Sequence, residues 1–102
     1  MDFYAGWCSP CRKLDEMTFH DPEVVKQAIS DFIMIKVDLT GKGSSVHGPL
    51  LQHYGIKGVP TVVFLAGDGT ERRDLRLVDY LSPDRFLIRM FELQMSQGRN
   101  HG

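Results

Sequence analysis

The sequence has almost no excess of either positive or negative charge. Its 12 basic residues stand against 13 acidic ones, which gives a formal net charge of −1. A protein that binds nucleic acid or an anionic membrane surface through charge carries a basic patch or run. The balanced charge therefore gives no indication of nucleic-acid binding or of a polybasic segment that binds membranes.

Long apolar runs are missing as well. The longest, residues 59–66, is interrupted by Pro60 and Thr61, and a membrane-spanning helix requires roughly 18 apolar residues. We therefore expect a domain that is not itself inserted in a membrane. No basic and long apolar leader follows Met1. Residues 2–5 instead predict the end of a strand, so we expect that residues have been cut away before Met1.

Cysteine is scarce, because the 102-residue chain has only Cys8 and Cys11. A small secreted domain held together by disulfides usually carries four or more. A bridge between positions 8 and 11 closes a very short loop and constrains little of the unfolded chain. Zinc requires about four ligands, and the four histidines show no regular spacing with the cysteines. A metal site and a structural bridge are the alternatives, and redox chemistry explains the pair better.

What the sequence does contain is a succession of short strands and helices that fits one domain, residues 1–95, followed by a polar tail, 96–102, expected to be frayed. Helices between the early strands imply parallel crossovers, and the tight turn between the late strands implies an antiparallel hairpin. We expect an α/β fold with a mixed central sheet flanked by helices. The predicted elements are strand 2–5, helix 10–17, a helix opened by Asp21 and Pro22, strand 32–38, helix 46–54, strand 61–66, edge strand 70–78 and a last helix opened by 82–84.

The predicted elements carry apolar faces from which we expect the core to form. Strand 32–38 is nearly all apolar, so we expect it to be buried on both faces. The helical stripes are Leu14 and Met17 in the first helix, Val24, Val25, Ala28 and Ile29 in the second, and Phe86, Leu87, Met90 and Phe91 in the last.

The spacing of the two cysteines indicates thiol–disulfide exchange. Cys8 stands at the start of a predicted helix, where unpaired N–H groups and the helix dipole favour a thiolate. Cys11 lies one turn further on the same face. We expect Cys8 to be exposed and attacking, and Cys11 to be shielded and resolving. Attack by Cys8 on a partner disulfide gives a mixed disulfide, from which Cys11 then releases the product.

Two segments resemble the thioredoxin superfamily. Residues 2–11 (DFYAGWCSPC) resemble its active-site segment, and residues 58–61 (GVPT) resemble its cis-proline segment. Residues 18–24 (TFHDPEV) and the long connection 40–51 are more similar to one branch, the C-terminal periplasmic domain of the DsbD family of membrane thiol:disulfide interchange proteins. The resemblance covers nearly the whole chain. It implies a thioredoxin-like fold whose N-terminal strand and helix are truncated here.

The resemblance also implies two acids near the cysteines. Asp2 matches the buried acid that assists proton transfer at the resolving cysteine, and Asp15 occupies the position of a second acid that tunes pKa values. Because burial raises the pKa of a carboxyl group, Asp2 could take a proton from Cys11 at neutral pH. The alternatives are a plain strand-end residue for Asp2 and a solvated helix acid for Asp15.

A substrate-binding surface beside the cysteines is implied in the same way. The bond before Pro60 is expected to be cis, which would leave the backbone groups of Val59 free to pair with an extended partner segment. Trp7 would flank the pair as a surface aromatic, with a core tryptophan as the alternative. Ser9 and Pro10, between the cysteines, complete the surface.

The sequence also departs from thioredoxins proper. Those proteins carry a lysine near the buried acid, and the corresponding place, four residues before Asp38, holds Met34. This departure weakens an interpretation as a general cytosolic thioredoxin. The dipeptide Ser9-Pro10 differs from the Gly-Pro of thioredoxins.

The function implied by the resemblance is that of a protein-disulfide reductase in an electron relay, with cytochrome c biogenesis as its context. The domain would act as a monomer on the periplasmic side of a bacterial inner membrane, as part of a larger membrane protein. Its partners would be a transmembrane dithiol domain and a periplasmic acceptor domain, with the Cys8–Cys11 disulfide in place of a cofactor and with no metal. A freestanding oxidoreductase or isomerase is one alternative. A redox-inert interaction module is another, although such modules commonly lack one active cysteine.

Overall fold

The computed structural model describes residues 1–101, with side chains described through residue 96. The predicted tail, 96–102, lies for the most part outside the described side chains and stays a prediction, as does the domain boundary at 95. None of the described helices is long and apolar enough to span a membrane. The elements are β1 (Asp2–Tyr4), α1 (Ser9–Lys13), a π-helical turn (Leu14–Thr18), α2 (Pro22–Asp31), β2 (Lys36–Asp38), α3 (Gly43–Val46), α4 (Gly48–Tyr54), β3 (Thr61–Val62), a 3₁₀ turn (Arg73–Leu75) and α5 (Pro83–His101).

The sheet has the strand order β2-β1-β3, with β1 in the centre. β1 runs parallel to β2, so that Asp2 lies opposite Lys36 and Tyr4 opposite Asp38. It runs antiparallel to β3, and there Asp2 lies opposite Val62. The mixed sheet flanked by helices that the sequence predicts is confirmed.

Local sequence signals set the helix ends. α1 has Pro10 in its first turn, where the missing N–H loses no intrahelical bond. α2 begins where predicted, because the Asp21 carboxylate accepts hydrogen bonds from the N–H groups of Glu23 and Val24 at 3.1 and 3.2 Å. α4 ends at Gly55 with φ of 61°, a left-handed conformation that glycine adopts without strain.

The core has one cluster on each face of the sheet, since Val62 belongs to one and its neighbour Val63 to the other. Phe86 of α5 anchors the first cluster, with ring centroids 5.3 Å from Phe19 and 5.5 Å from Phe64. In the second cluster, Phe3 of β1 is fully buried and packs with residues of α4.

Residues 32–38 depart most from the prediction. Only Lys36–Asp38 forms a strand, and Ile33 is 87% exposed, with Met34 and Ile35 also exposed. The expected burial on both faces is wrong for residues 33–36, which are exposed, whereas Val37 within β2 is buried.

The late hairpin is also less regular than predicted. Strand 61–66 shortens to Thr61–Val62, and 70–78 forms no continuous strand. Two isolated bridges, Val62 with Leu77 and Leu65 with Glu71, keep the antiparallel pairing. The 3₁₀ turn falls between the two bridges on the return segment and interrupts the ladder.

Three residues assigned to apolar stripes face solvent instead, namely Met17, Ile29 and Phe91. Met17 lies in the π-helical turn, whose wider spacing takes it off the face of Leu14. Ile29 and Phe91 each lie five residues after a buried residue, about 140° further around the helix.

Two phenylalanines of α5 test this assignment of the core. Phe86 is 1% exposed and Phe91 is 49% exposed. We expect Phe86→Ala to lower the free energy of unfolding by about 3–5 kcal/mol, because it leaves a cavity between two other aromatic rings. The matched control Phe91→Ala should lower it by less than about 1 kcal/mol. Equal losses for the two variants in urea unfolding would contradict the assignment.

Candidate active site

The turn that leaves β1 delivers the two cysteines to the start of α1. Cys8 is the N-cap residue of α1, and its sulfur accepts a hydrogen bond from the N–H of Cys11 at 3.2 Å. The two residues form a disulfide, with their Cα atoms 5.2 Å apart. A sulfur held at a helix N-terminus by a backbone N–H is well placed to become a stabilised thiolate on reduction.

The predicted difference in exposure between the cysteines is wrong for this disulfide-bonded form. Cys8 is 4% exposed and Cys11 is 6% exposed. Both are buried because they form a small cluster with Ala5, against which Tyr4 and Val59 pack. The sequence indicates which cysteine begins the helix, whereas the covering side chains come from elsewhere in the chain.

The loop before β3 lies beside this cluster. The Val59–Pro60 peptide bond is cis, in agreement with the resemblance, and Pro60 is buried. No described backbone hydrogen bond involves Val59. The Thr61 hydroxyl donates to the Gly58 carbonyl at 2.7 Å and holds the loop.

Trp7 and the residues between the cysteines lie on the surface. The Trp7 side chain is 70% exposed, so the surface-aromatic interpretation holds and the core alternative is wrong. Ser9 and Pro10 are exposed at the start of α1. The structure thus places every residue of the predicted substrate-binding surface within or next to the disulfide turn.

Asp2 is a buried acid, as the resemblance implies. One of its carboxylate oxygens is fully buried and has no hydrogen-bond partner among the described residues. Burial raises the pKa of Asp2 to about 6, against the opposing charges of Lys36 and the N-terminal ammonium and with a smaller contribution from Asp15. Asp2 also lines a cavity of about 620 Å³ whose other lining side chains are mostly apolar.

Lys36 is the residue that the sequence analysis missed. Its ammonium pairs with the Asp15 carboxylate at 2.9 Å and lies 4.8 Å above the ring of Tyr4. It also lies directly opposite Asp2 in the sheet. The position of the thioredoxin lysine does hold Met34, and Lys36, two residues further on, lies opposite the buried acid instead. The signal was the period of two along a strand, which puts Lys36 on the same face as Met34.

Asp15 is half-buried at the start of the π-helical turn, and its carboxylate is paired with Lys36. Burial alone would lower the pKa of Lys36, but the hydrogen bond and charge of Asp15, together with the charges of Asp2 and Tyr4, outweigh it and raise that pKa. Tyr4 joins the two halves of the site, because it packs against the cysteine cluster on one side and under Lys36 on the other.

Metal ligation finds no support in this arrangement. No group of three or more histidine, cysteine or acidic side chains that could hold a metal ion occurs within the described part of the chain.

Comparison with known proteins gives a consistent set of similarities. Residues 1–94 match the family model of the thioredoxin-like domain. The thiol:disulfide interchange protein DsbD of Haemophilus ducreyi is 32% identical over 87 residues, which are 85% of this chain and 15% of that protein. DsbD of Escherichia coli K12 is 30% identical over 94 residues, 92% of this chain and 16% of that protein. The chain thus spans about 15% of the length of these relatives.

Solved structures are similar over most of the chain. The C-terminal domain of Neisseria meningitidis DsbD in its reduced form superposes with a TM-score of 0.74 at 29% identity, covering 89% of this chain and 76% of that one. A thioredoxin from Thermus thermophilus gives 0.76 at 23% identity, covering 99% and 76%, which shows the fold alone. The predicted thioredoxin-like fold and the similarity to DsbD are confirmed.

The pKa of Asp2 predicts a pH dependence of stability. Its value of about 6 in the folded protein lies above the ordinary 3.8, so the folded state holds the proton more tightly. The stability this confers is complete below about pH 4 and is lost as the pH rises through 6, on the order of 2–3 kcal/mol in all. Asp2→Asn cannot titrate, so we expect the wild-type free energy of unfolding to fall by this amount relative to the variant between pH 4 and 7.

Urea unfolding of the oxidised protein at a series of pH values measures this difference. Glu16→Gln, at an exposed position, is the control and should leave the pH profile parallel to that of the wild type. Parallel profiles for wild type and Asp2→Asn would contradict the assignment of Asp2 as the titrating acid.

Proposed function

The chain belongs to the thioredoxin-like domain family, and from that premise we propose that it is a protein-disulfide reductase domain in an electron relay. One observation carries the proposal. The disulfide lies at the N-terminus of α1 and packs beside the Val59–Pro60 loop, an arrangement suited to exchange with a second disulfide.

The reaction begins with the reduced form. The Cys8 thiolate attacks a partner disulfide, a bond forms between the Cys8 sulfur and one partner sulfur, and the other partner sulfur leaves as a thiolate that takes up a proton. The Cys11 thiolate then attacks the Cys8 sulfur and releases the second partner sulfur. Two electrons pass to the partner, and the chain is left with the Cys8–Cys11 disulfide. The step uses only sulfur atoms and protons and needs no added cofactor.

Asp2 would serve the second attack. The Cys11 thiol must lose its proton before it can attack, and a carboxylate with a pKa of about 6 is ionised at neutral pH yet basic enough to accept one. Lys36 and Asp15 share the surroundings of Asp2. Their charges oppose each other there, and so they adjust how readily Asp2 takes the proton.

Partner docking would use the surface around the disulfide. The backbone groups of Val59 are unpaired within the described structure and can receive an extended partner segment as an added strand. The exposed Trp7 offers a large apolar side chain on the other side, next to Ser9 and Pro10. The partners in this proposal are therefore proteins that present a disulfide on an extended segment.

The similarity to DsbD supports a more specific setting. In this setting the domain acts as a monomer on the periplasmic side of a bacterial inner membrane, as part of a larger membrane protein. A transmembrane dithiol domain would reduce it, and a periplasmic acceptor domain, in processes such as cytochrome c biogenesis, would receive the electrons. A freestanding thioredoxin-like oxidoreductase is the second candidate, and it gains from Lys36, which lies near the buried acid as in thioredoxins.

Trapping tests the assignment of the cysteines. We expect reduced Cys11→Ala to accumulate a mixed disulfide with a protein substrate such as insulin, because nothing resolves the Cys8 bond. The complex is measured as a summed intact mass that dithiothreitol abolishes. Cys8→Ala is the matched control and should form no complex. A complex that formed with Cys8→Ala and not with Cys11→Ala would reverse the two roles.

The reduction potential tests the direction of electron flow. For a reductase relay we expect the Cys8–Cys11 pair to equilibrate near the value of thioredoxin, about −270 mV, or somewhat above it. Trp7 fluorescence in a dithiol buffer series, checked by thiol trapping, gives the measurement. A potential near −120 mV is that of a strong oxidant and would be incompatible with the relay.

A further inference from the structure

The turn that carries Trp7 is held at a single residue, Gly6. The N–H of Gly6 donates to the Thr40 hydroxyl oxygen at 2.8 Å. On the other side of the same residue, the Arg12 guanidinium donates to the Gly6 carbonyl at 2.8 Å. Two side chains from different parts of the fold therefore hold Gly6 from both ends, and we call this arrangement the Gly6 clamp.

Thr40 is itself fixed by a carboxylate. Its hydroxyl donates to Asp38 at 2.5 Å and its N–H donates to the same oxygen at 2.9 Å. A threonine hydroxyl has one proton, and because Asp38 receives it, a lone pair remains for the Gly6 N–H. The bonds thus run in one direction, from Gly6 through Thr40 to Asp38 at the end of β2.

The disulfide and the cysteine cluster fix Cys8, and they do not fix Trp7. The backbone of the turn supplies one bond, from the Cys8 N–H to the Ala5 carbonyl at 3.2 Å. Trp7 is 70% exposed, so packing does not fix its side chain, and Gly6 has no side chain to pack. Thr40 and Arg12 are exposed too, and exposed hydrogen bonds add little to global stability. Their effect is therefore expected on the orientation of the turn.

We propose that Thr40 and Arg12 are positioning residues that hold the Trp7–Cys8 turn ready for a protein disulfide. The proposal rests on the proposed disulfide exchange and concerns only how the partner is received. When the surface is ordered before the partner docks, docking loses less conformational entropy. A small disulfide that reacts without covering Trp7 gains nothing from that order, and this difference separates positioning from chemistry.

Thr40→Val removes the hydroxyl and keeps the shape of the side chain. We expect its kcat/KM for insulin reduction to fall about fivefold, the size of one net hydrogen bond, mainly through a higher KM. Reduction of the small disulfide 5,5′-dithiobis(2-nitrobenzoate) should be unchanged. Trp7 is the sole tryptophan, so its fluorescence anisotropy should also decay faster in the variant.

Two controls make the result specific. Thr40→Ser keeps the hydroxyl and should restore the wild-type KM and anisotropy. Thr70→Val changes a threonine with the same relation to an aspartate, since the Thr70 N–H donates to Asp68 at 2.9 Å, but in a turn that has no bond to Gly6. It should behave as the wild type.

Arg12→Gln tests the other half of the clamp independently and should give the same split between the two substrates. An insulin KM and an anisotropy decay that matched those of Thr70→Val would overturn the proposal. Equal slowing of both substrates would also overturn it, because the effect would then lie in the reactivity of Cys8. A wild type that reduced neither disulfide would instead contradict the proposed function.

Discussion

β1 is hydrogen-bonded on both sides, to β2 and to β3, and the site is placed by that pairing. Helices pack on both faces of the sheet, so Phe3 is fully buried on one face of this strand and Asp2 is buried on the other. The chain leaves the sheet after Tyr4, at the end of β1. The turn that follows begins a helix at once, and the helix N-terminus holds the sulfur of Cys8.

The same constraint creates the electrostatics of the site. A carboxyl group in a central strand loses its water, which is why its pKa rises to about 6. Without the positive charge of Lys36, the pKa of Asp2 would rise further. Lys36 is brought opposite Asp2 by the parallel register, and Asp15 holds that lysine from the π-helical turn. Lys36 and Asp15, together with the N-terminal ammonium, therefore share control of the proton affinity of Asp2.

The parts of the molecule that meet a partner are held differently from the core. Cys8 and Cys11 are buried among small and apolar side chains, while Trp7 projects into solvent from a turn held by exposed hydrogen bonds. The division suits a domain that must protect a reactive sulfur pair and still offer a surface to another protein. The fold itself is shared with the C-terminal domain of Neisseria meningitidis DsbD and with a thioredoxin from Thermus thermophilus.

The sequence by itself determined what depends on near neighbours along the chain. Cys8 and Cys11 are one helical turn apart, Asp21 and Pro22 open α2, Gly55 ends α4, and the motif resemblance marked Pro60. The first three follow from local backbone geometry, so a short window of residues contains them, whereas the cis bond at Pro60 was expected only from the resemblance. The tertiary structure alone decided that Lys36 lies beside Asp2, that Val59 and Tyr4 cover the sulfurs, that residues 33–35 face solvent, and that Thr40 holds Gly6. Each of these depends on the register and order of strands that are distant in sequence, and hydrophobic pattern alone does not specify which strand becomes an edge.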